Sequence, residues 1–190
     1  MAAWPVARIS ARYGGSAIAL HWLIALLMCC GFGLGLYMVE LRFSPQKLMF
    51  YSYHKWIGVT VFALAVLRVL WRIVHRPPPL PASVAPWQQA LSGAIHVLLY
   101  LLMLGIPLSG WLYSSATGVP TVPFGIAALQ LPDLFGRDRD LAVSLKFLHL
   151  TFNYTLASLV LLHVGAALKH QFLDRDGIML RMLPGRQIRP

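Results

Sequence analysis

The stretch Lys146–His170 sets the terms for the whole chain. From Phe147 to Leu168 it contains no Asp, Glu, Lys or Arg. An uncharged run of this length crosses lipid only as a structure that satisfies its own backbone hydrogen bonds, and for a single segment that structure is a helix. Two histidines interrupt the run, His149 and His163, fourteen positions apart. In a helix that spacing is about 21 Å along the axis and leaves the two side chains within roughly 40° of one face. Imidazole is a common ligand of metals and of haem iron. An apolar helix with one imidazole towards each edge of a membrane suits two metal centres stacked across a bilayer.

The remaining residues leave room for little but more such helices. The chain has 190 residues, 58% of them hydrophobic, with a mean hydropathy of +0.66. An integral membrane protein with four spans follows, at about Ser16–Val39, Tyr53–Val74, Ala90–Tyr113 and 145–171, forming one all-α membrane domain. Gly31, Gly33 and Gly35 in the first span admit a close neighbour. Pro107 interrupts the third and frees a carbonyl near Met103. The formal charge of +10 is not a nucleic-acid signature, because the basic residues cluster at span ends, where topology and lipid headgroups account for them. Cys29 and Cys30 are adjacent and mid-span, which suits packing and not a bridge. No Cys-x-x-Cys-His is present, so a haem would be held by ligation alone. The first apolar run is too long for the core of a cleavable signal.

Four spans place both termini on one side. Arg8, Arg12, Arg68, Arg72, Arg76, Lys169, Arg175, Arg181, Arg186 and Arg189 gather there, against Arg42, Lys47, Lys55, Arg137, Arg139 and Lys146 opposite. Lys and Arg favour the cytoplasmic side, so both termini are expected in the cytoplasm. His54, read as the start of the second span, and His149 are then the only outer histidines. The inner side holds His21, His75, His96, His163 and His170. Depth pairs His21 with His163 inside and His54 with His149 outside, with His96 in place of His21 as the alternative. Zinc sites usually add Cys or carboxylate ligands, and none lies at this depth. Two axial imidazoles within apolar walls describe a low-spin haem b.

Several motifs then point the same way. They are Arg12-Tyr13 and His21-Trp22; His54-Lys55-x-Ile57-Gly58; Arg68-x-x-Trp71-Arg72-x-x-His75-Arg76-Pro77-Pro78-Pro79; His96-x-x-x-Tyr100; Pro107-x-Ser109-Gly110-Trp111; and Ala166-Ala167-Leu168-Lys169-His170 with Arg181-Met182-Leu183-Pro184. With the His149/His163 pair, they make nearly the whole chain resemble the bacterial cytochrome b561 family. The resemblance implies a four-helix bundle in the inner membrane, two b haems on His21, His54, His149 and His163, and electron transfer across the membrane. Short stand-alone members resemble superoxide oxidase, which passes electrons from periplasmic superoxide to ubiquinone. Trp56 departs from the pattern, since relatives often carry a small residue there.

Under that resemblance, Lys55 and Lys146, with Arg42 and Lys47 nearby, are expected to draw a small anion such as superoxide to the outer centre. A quinone needs an apolar slot with groups that donate to its carbonyls and move protons, and His96, His170 and Arg72 are expected to supply them. Lipid, ubiquinone and a small anionic donor are the expected partners. The alternative is a membrane-anchor subunit that conducts electrons for a periplasmic dehydrogenase docked on the long loop Ser114–Leu141. A haem-carrying protein without turnover is a third possibility.

Overall fold

The structure, a computed structural model, describes residues 12–81 and 84–185; Arg8, Arg186 and Arg189 lie outside the described residues. Four long helices account for most of it: α1 Gly15–Glu40, α2 Pro45–Val74, α3 Pro86–Thr117 and α4 Arg139–Lys169. All four are long and apolar enough to cross a membrane, and no strand occurs among the described residues.

The helices reach beyond the apolar runs that suggest them, because their ends obey capping chemistry. Pro45 starts α2 eight residues before the expected span: Ser44 caps it by accepting from Lys47 N at 3.2 Å, and Pro at the first position costs no helical hydrogen bond. Asp138 caps α4, its Oδ1 accepting from Asp140 N and Leu141 N at 3.0 Å each. Gly118, at φ 70°, ends α3. Its N–H donates to Ser115 O and that of Val119 to Ser114 O, the paired bonds of a Schellman turn. The Lys47 ammonium donates to Leu41 O at 2.5 Å and covers the carbonyl end of α1.

Neighbours in sequence are neighbours in space: α1 packs on α2, α2 on α3 and α3 on α4. Ile24, Ala65 and Met103, one from each of the first three helices, form the small buried centre. α1 and α4 meet through rings, Phe32 against Tyr154 at 6.1 Å. Large apolar side chains are turned outward along every helix, such as Ile73 at 72% exposure and Leu161 at 75%. A surface this apolar is stable in lipid and not in water. The molecule is a multi-pass membrane bundle.

Two straps tie the ends. On one side, residues 118–138 fold into two 3-10 turns and a single bridge between Thr121 and Leu131. Buried Ser115 accepts from Leu134 N and Phe135 N. Trp56 Nε1 donates to Val122 O at 2.9 Å, and the Lys55 ammonium donates to Val119 O and Pro120 O. On the other side, the tail beyond α4 folds back onto the start of α1. Trp22 Nε1 donates to Met182 O at 2.8 Å, and Arg12 donates to Leu183 O. Arg181, 2% exposed, donates to Pro78 O and lies over the Tyr13 ring.

Candidate functional site

Seen from the helices, the histidines fall into two groups. His54, from α2, and His149, from α4, face each other with ring centroids 6.3 Å apart and planes at 83°. His54 does not open its helix. The Ser44-Pro45 cap starts α2 well before it, so His54 lies nine residues inside and His149 ten, roughly 14 Å from the helix ends. The loop 118–138 lies across that end through Trp56, two positions from His54.

Each imidazole of this pair is held by its Nδ1. His54 Nδ1 donates to Gly31 O at 3.0 Å. His149 Nδ1 donates to Ile106 O at 3.1 Å and lies 3.0 Å from Ser109 Oγ, whose hydroxyl donates to the same carbonyl. A ring that spends its Nδ1 proton on a carbonyl keeps its Nε2 lone pair for a metal. Backbone also presses on both rings. A Cβ on Gly35 would stand 3.2 Å from His54 Cε1, and one on Gly110 would stand 3.1 Å from His149 Cε1. Gly33, between the first span's other two glycines, faces open space.

The second group lies towards the termini. His21, from α1, and His163, from α4, have centroids 6.3 Å apart and planes at 79°. His96, from α3, also meets His163, at 5.2 Å, and Ser92 Oγ lies 3.4 Å from its Nδ1. A metal with two opposed imidazoles at about 2 Å puts their centroids about 6 Å apart. The His54/His149 and His21/His163 pairs have that separation, whereas His96/His163 is closer. Both pairs lie among apolar side chains of the bundle, and the donor set suits an axially ligated haem iron.

Comparison with known proteins agrees with this arrangement. The family model described as prokaryotic cytochrome b561 matches residues 12–185. The chain belongs to the prokaryotic cytochrome b561 family. Among its relatives, cytochrome b561 homolog 2 of Escherichia coli (strain K12) is 37% identical over 182 residues, covering 90% of this chain and 91% of that protein. A probable superoxide oxidase, CybB, of Yersinia pestis is 28% identical, covering 93% and 98%. Cytochrome b561 homolog 1 of E. coli is 25% identical, covering 93% and 99%. Membership in the cytochrome b561 family implies b-type haem and electron transfer in the membrane.

The other expected site residues of this b561 chain are dispersed. His96 and Arg72 share a neighbourhood: Arg72 lies over the Tyr100 ring at 5.8 Å, and both Arg68 and Arg72 are charged neighbours of His96. His170 lies apart. α4 gives way there to a π turn, His170–Asp174, and His170 Nδ1 donates to Asp176 Oδ2 at 2.6 Å, with Asp174 Oδ2 at 3.2 Å. These three side chains are the one group of three whose ligand atoms lie close enough together to share a metal ion among the described residues. The Lys169 ammonium already pairs with Asp174 at 2.5 Å. Of the cations expected on the outer side, Lys146 and Arg42 are exposed, while Lys55 and Lys47 donate to loop and helix-end carbonyls. Sequence reasoning passed over Ser109, Gly110 and the Ile106 carbonyl as supports of His149. The Pro107-x-Ser109-Gly110 motif was the available signal.

Proposed function

We propose that this chain binds two b haems, on His54/His149 and on His21/His163, and passes electrons from superoxide at the outer surface to ubiquinone. The observation that carries this reading is the repeated 6.3 Å separation of two imidazole pairs, four turns apart on α4. Haem b, when bound, supplies reversible one-electron chemistry. The balance is two superoxide anions, one quinone and two protons giving two dioxygen molecules and one quinol.

The protein's own groups have distinct tasks. The Gly31 and Ile106 carbonyls and Ser109 hold the outer rings in one tautomer and orientation. Lys146, with Arg42, Lys47 and Lys55, raises the local concentration of a small anion above the outer pair. His96 and Arg72 donate to the quinone carbonyls, and His170, oriented by Asp176, passes protons from the surface. The site faces the periplasm, with both termini in the cytoplasm of a bacterial inner-membrane protein. The similarity to a probable superoxide oxidase supports the choice of donor.

The membrane-anchor reading is supported by the apolar loop tips, Phe124 at 53% exposure and Ile126 at 49%, which would face a docked dehydrogenase. Purified protein decides between the two readings. Under the superoxide reading, superoxide alone reduces the haems and added quinone reoxidises them. Haems that respond to quinol but not to superoxide would favour the anchor.

Haem counting tests the ligands. His54→Ala and His149→Ala each lose one haem, His21→Ala and His163→Ala lose the other, and His96→Ala keeps both. A His96→Ala protein with one haem, beside a His21→Ala protein with two, would overturn the inner pairing. Lys146→Gln slows haem reduction by superoxide and flattens its dependence on ionic strength, read by stopped flow.

A further inference from the structure

At the end of the bundle where the two termini meet, α1, α2 and α3 enclose a cavity of about 300 Å³, at the lower end of the range for ligand pockets. Four arginines line it, Arg12, Arg68, Arg72 and Arg76, together with Tyr13, Trp71, His75 and Tyr100; Arg68 and Arg72 lie over the Tyr100 ring, and no carboxylate is among the lining residues. Arg68 is held in place, Nε donating to Tyr100 Oη at 2.9 Å and Nη1 to Ala17 O at 3.5 Å. Arg72 and Arg76 are exposed. The two acids at this end, Asp174 and Asp176, are engaged by Lys169 and His170. Four cations gathered on aromatic walls, with local acids committed elsewhere, make a site for an anion with several acceptor oxygens.

A second cavity, about 450 Å³, shares a wall with the first. Trp71 lines both, and the second is otherwise walled by Ser16, Ala19, Leu20, Leu23 and Leu67 of α1 and α2. Leu23 and Leu67 are 45% and 48% exposed, so this groove opens sideways towards hydrocarbon. A soluble phosphate would use only the basic cavity. A neutral quinone ring needs one or two donors, not four guanidinium groups.

We propose that the paired cavities bind one anionic phospholipid, its phosphate between Arg72 and Arg76 and an acyl chain along the α1/α2 groove. Basic pockets between spans near the headgroup layer take acidic lipids in this way. The site rests on the membrane bundle and not on superoxide as donor; it shares Arg72 with the proposed quinone site, so Arg76 and Trp71, which that site does not use, are the residues that test it.

The test is native mass spectrometry of the haem-loaded protein, released from vesicles of phosphatidylethanolamine with phosphatidylglycerol as the minor component. One phosphatidylglycerol per chain is expected to survive release. Arg76→Gln should weaken its retention by about tenfold, as removal of a charge-assisted contact does, and Trp71→Ala should weaken it while leaving the arginines in place. Both variants should keep two haems by absorbance. Equal retention of phosphatidylethanolamine, or a smear of lipids without a fixed stoichiometry, would overturn the proposal. Displacement by inorganic phosphate would make this a soluble-anion site, and displacement by ubiquinone a quinone site; either overturns the lipid assignment. Loss of a haem together with the lipid in Arg76→Gln would assign the arginines to the haem carboxylates instead.

Discussion

Gly35 and Gly110 are the two residues on which the outer histidines lean. Each replaces a side chain with the edge of an imidazole, at a distance where an added methyl forces that ring aside. In the proposed reading, Gly35→Ala and Gly110→Ala therefore shift the haem on His54/His149 and not the one on His21/His163. Overpacking of this kind costs about 1–3 kcal/mol, and a disturbed orienting contact weakens a metal site by about 10–100-fold. Redox titration of each variant should move one midpoint and leave the other; two unmoved midpoints would remove these glycines from the site. The four proposed ligands were legible in the sequence because depth in an apolar run and spacing on a helix are local properties. His170 shows where such reasoning stops. Seven residues beyond His163, it keeps a helical backbone with its N–H on Ala166 O, but the π turn that begins there brings Asp176 back to accept from its ring, a partner that helical spacing does not reveal.

Among the elements, the loop between α3 and α4 departs furthest from expectation. Composition suggests a long, irregular, Gly- and Pro-rich segment. The structure has it capped at both ends, fastened to the other hairpin by Trp56 and Lys55 and to its own α3 by Ser115. Trp56 is thus the peg for a loop that lies across the His54/His149 end of the bundle. Trp56→Phe keeps the ring contact with Phe124, at 5.9 Å, but removes the indole N–H that Val122 O accepts. The expected loss is about 1 kcal/mol, seen as faster hydrogen exchange in residues 118–138 with haem content unchanged. Unchanged exchange would mean that the loop is held elsewhere. The pinning by Trp56 and Lys55 could not be read beforehand, since their partners lie about 65 positions apart and neither periodicity nor capping reaches so far. The helix starts at Pro45 and Arg139 escaped for another reason: the first turns of α2 and α4 are polar enough to fall outside an apolar window, yet their caps are ordinary.

For the whole molecule, the even number of spans and the contact between Tyr13 and Arg181 put the ends of the described chain together. The surplus of Lys and Arg at that end predicts that a reporter fused after Pro190 reads as cytoplasmic. A periplasmic signal would exchange the two haem sites and move the basic cavity to the outer leaflet. The number of spans and their order were visible in hydropathy alone. The return of the tail, through bonds linking positions 160 to 173 apart, was not.

The arrangement of the ring pairs bears on how such a bundle comes to exist in a cell. His21 and His54 belong to the first hairpin, α1–α2, whereas His149 and His163 both belong to the last helix. Neither half of the chain contains a complete pair, so in the proposed reading each haem is loaded only after the second hairpin has inserted, and each then acts as a rivet between the two halves. The direct seam between α1 and α4 is thin, a few facing rings. Ligand that binds only the assembled form stabilises it by mass action, and the two haems proposed here would each join α4 to the first hairpin. In cells starved of haem precursors the chain should still insert yet be degraded faster, with its half-life by pulse-chase recovering when haem is supplied. A half-life indifferent to haem would mean that the two straps hold the halves together unaided.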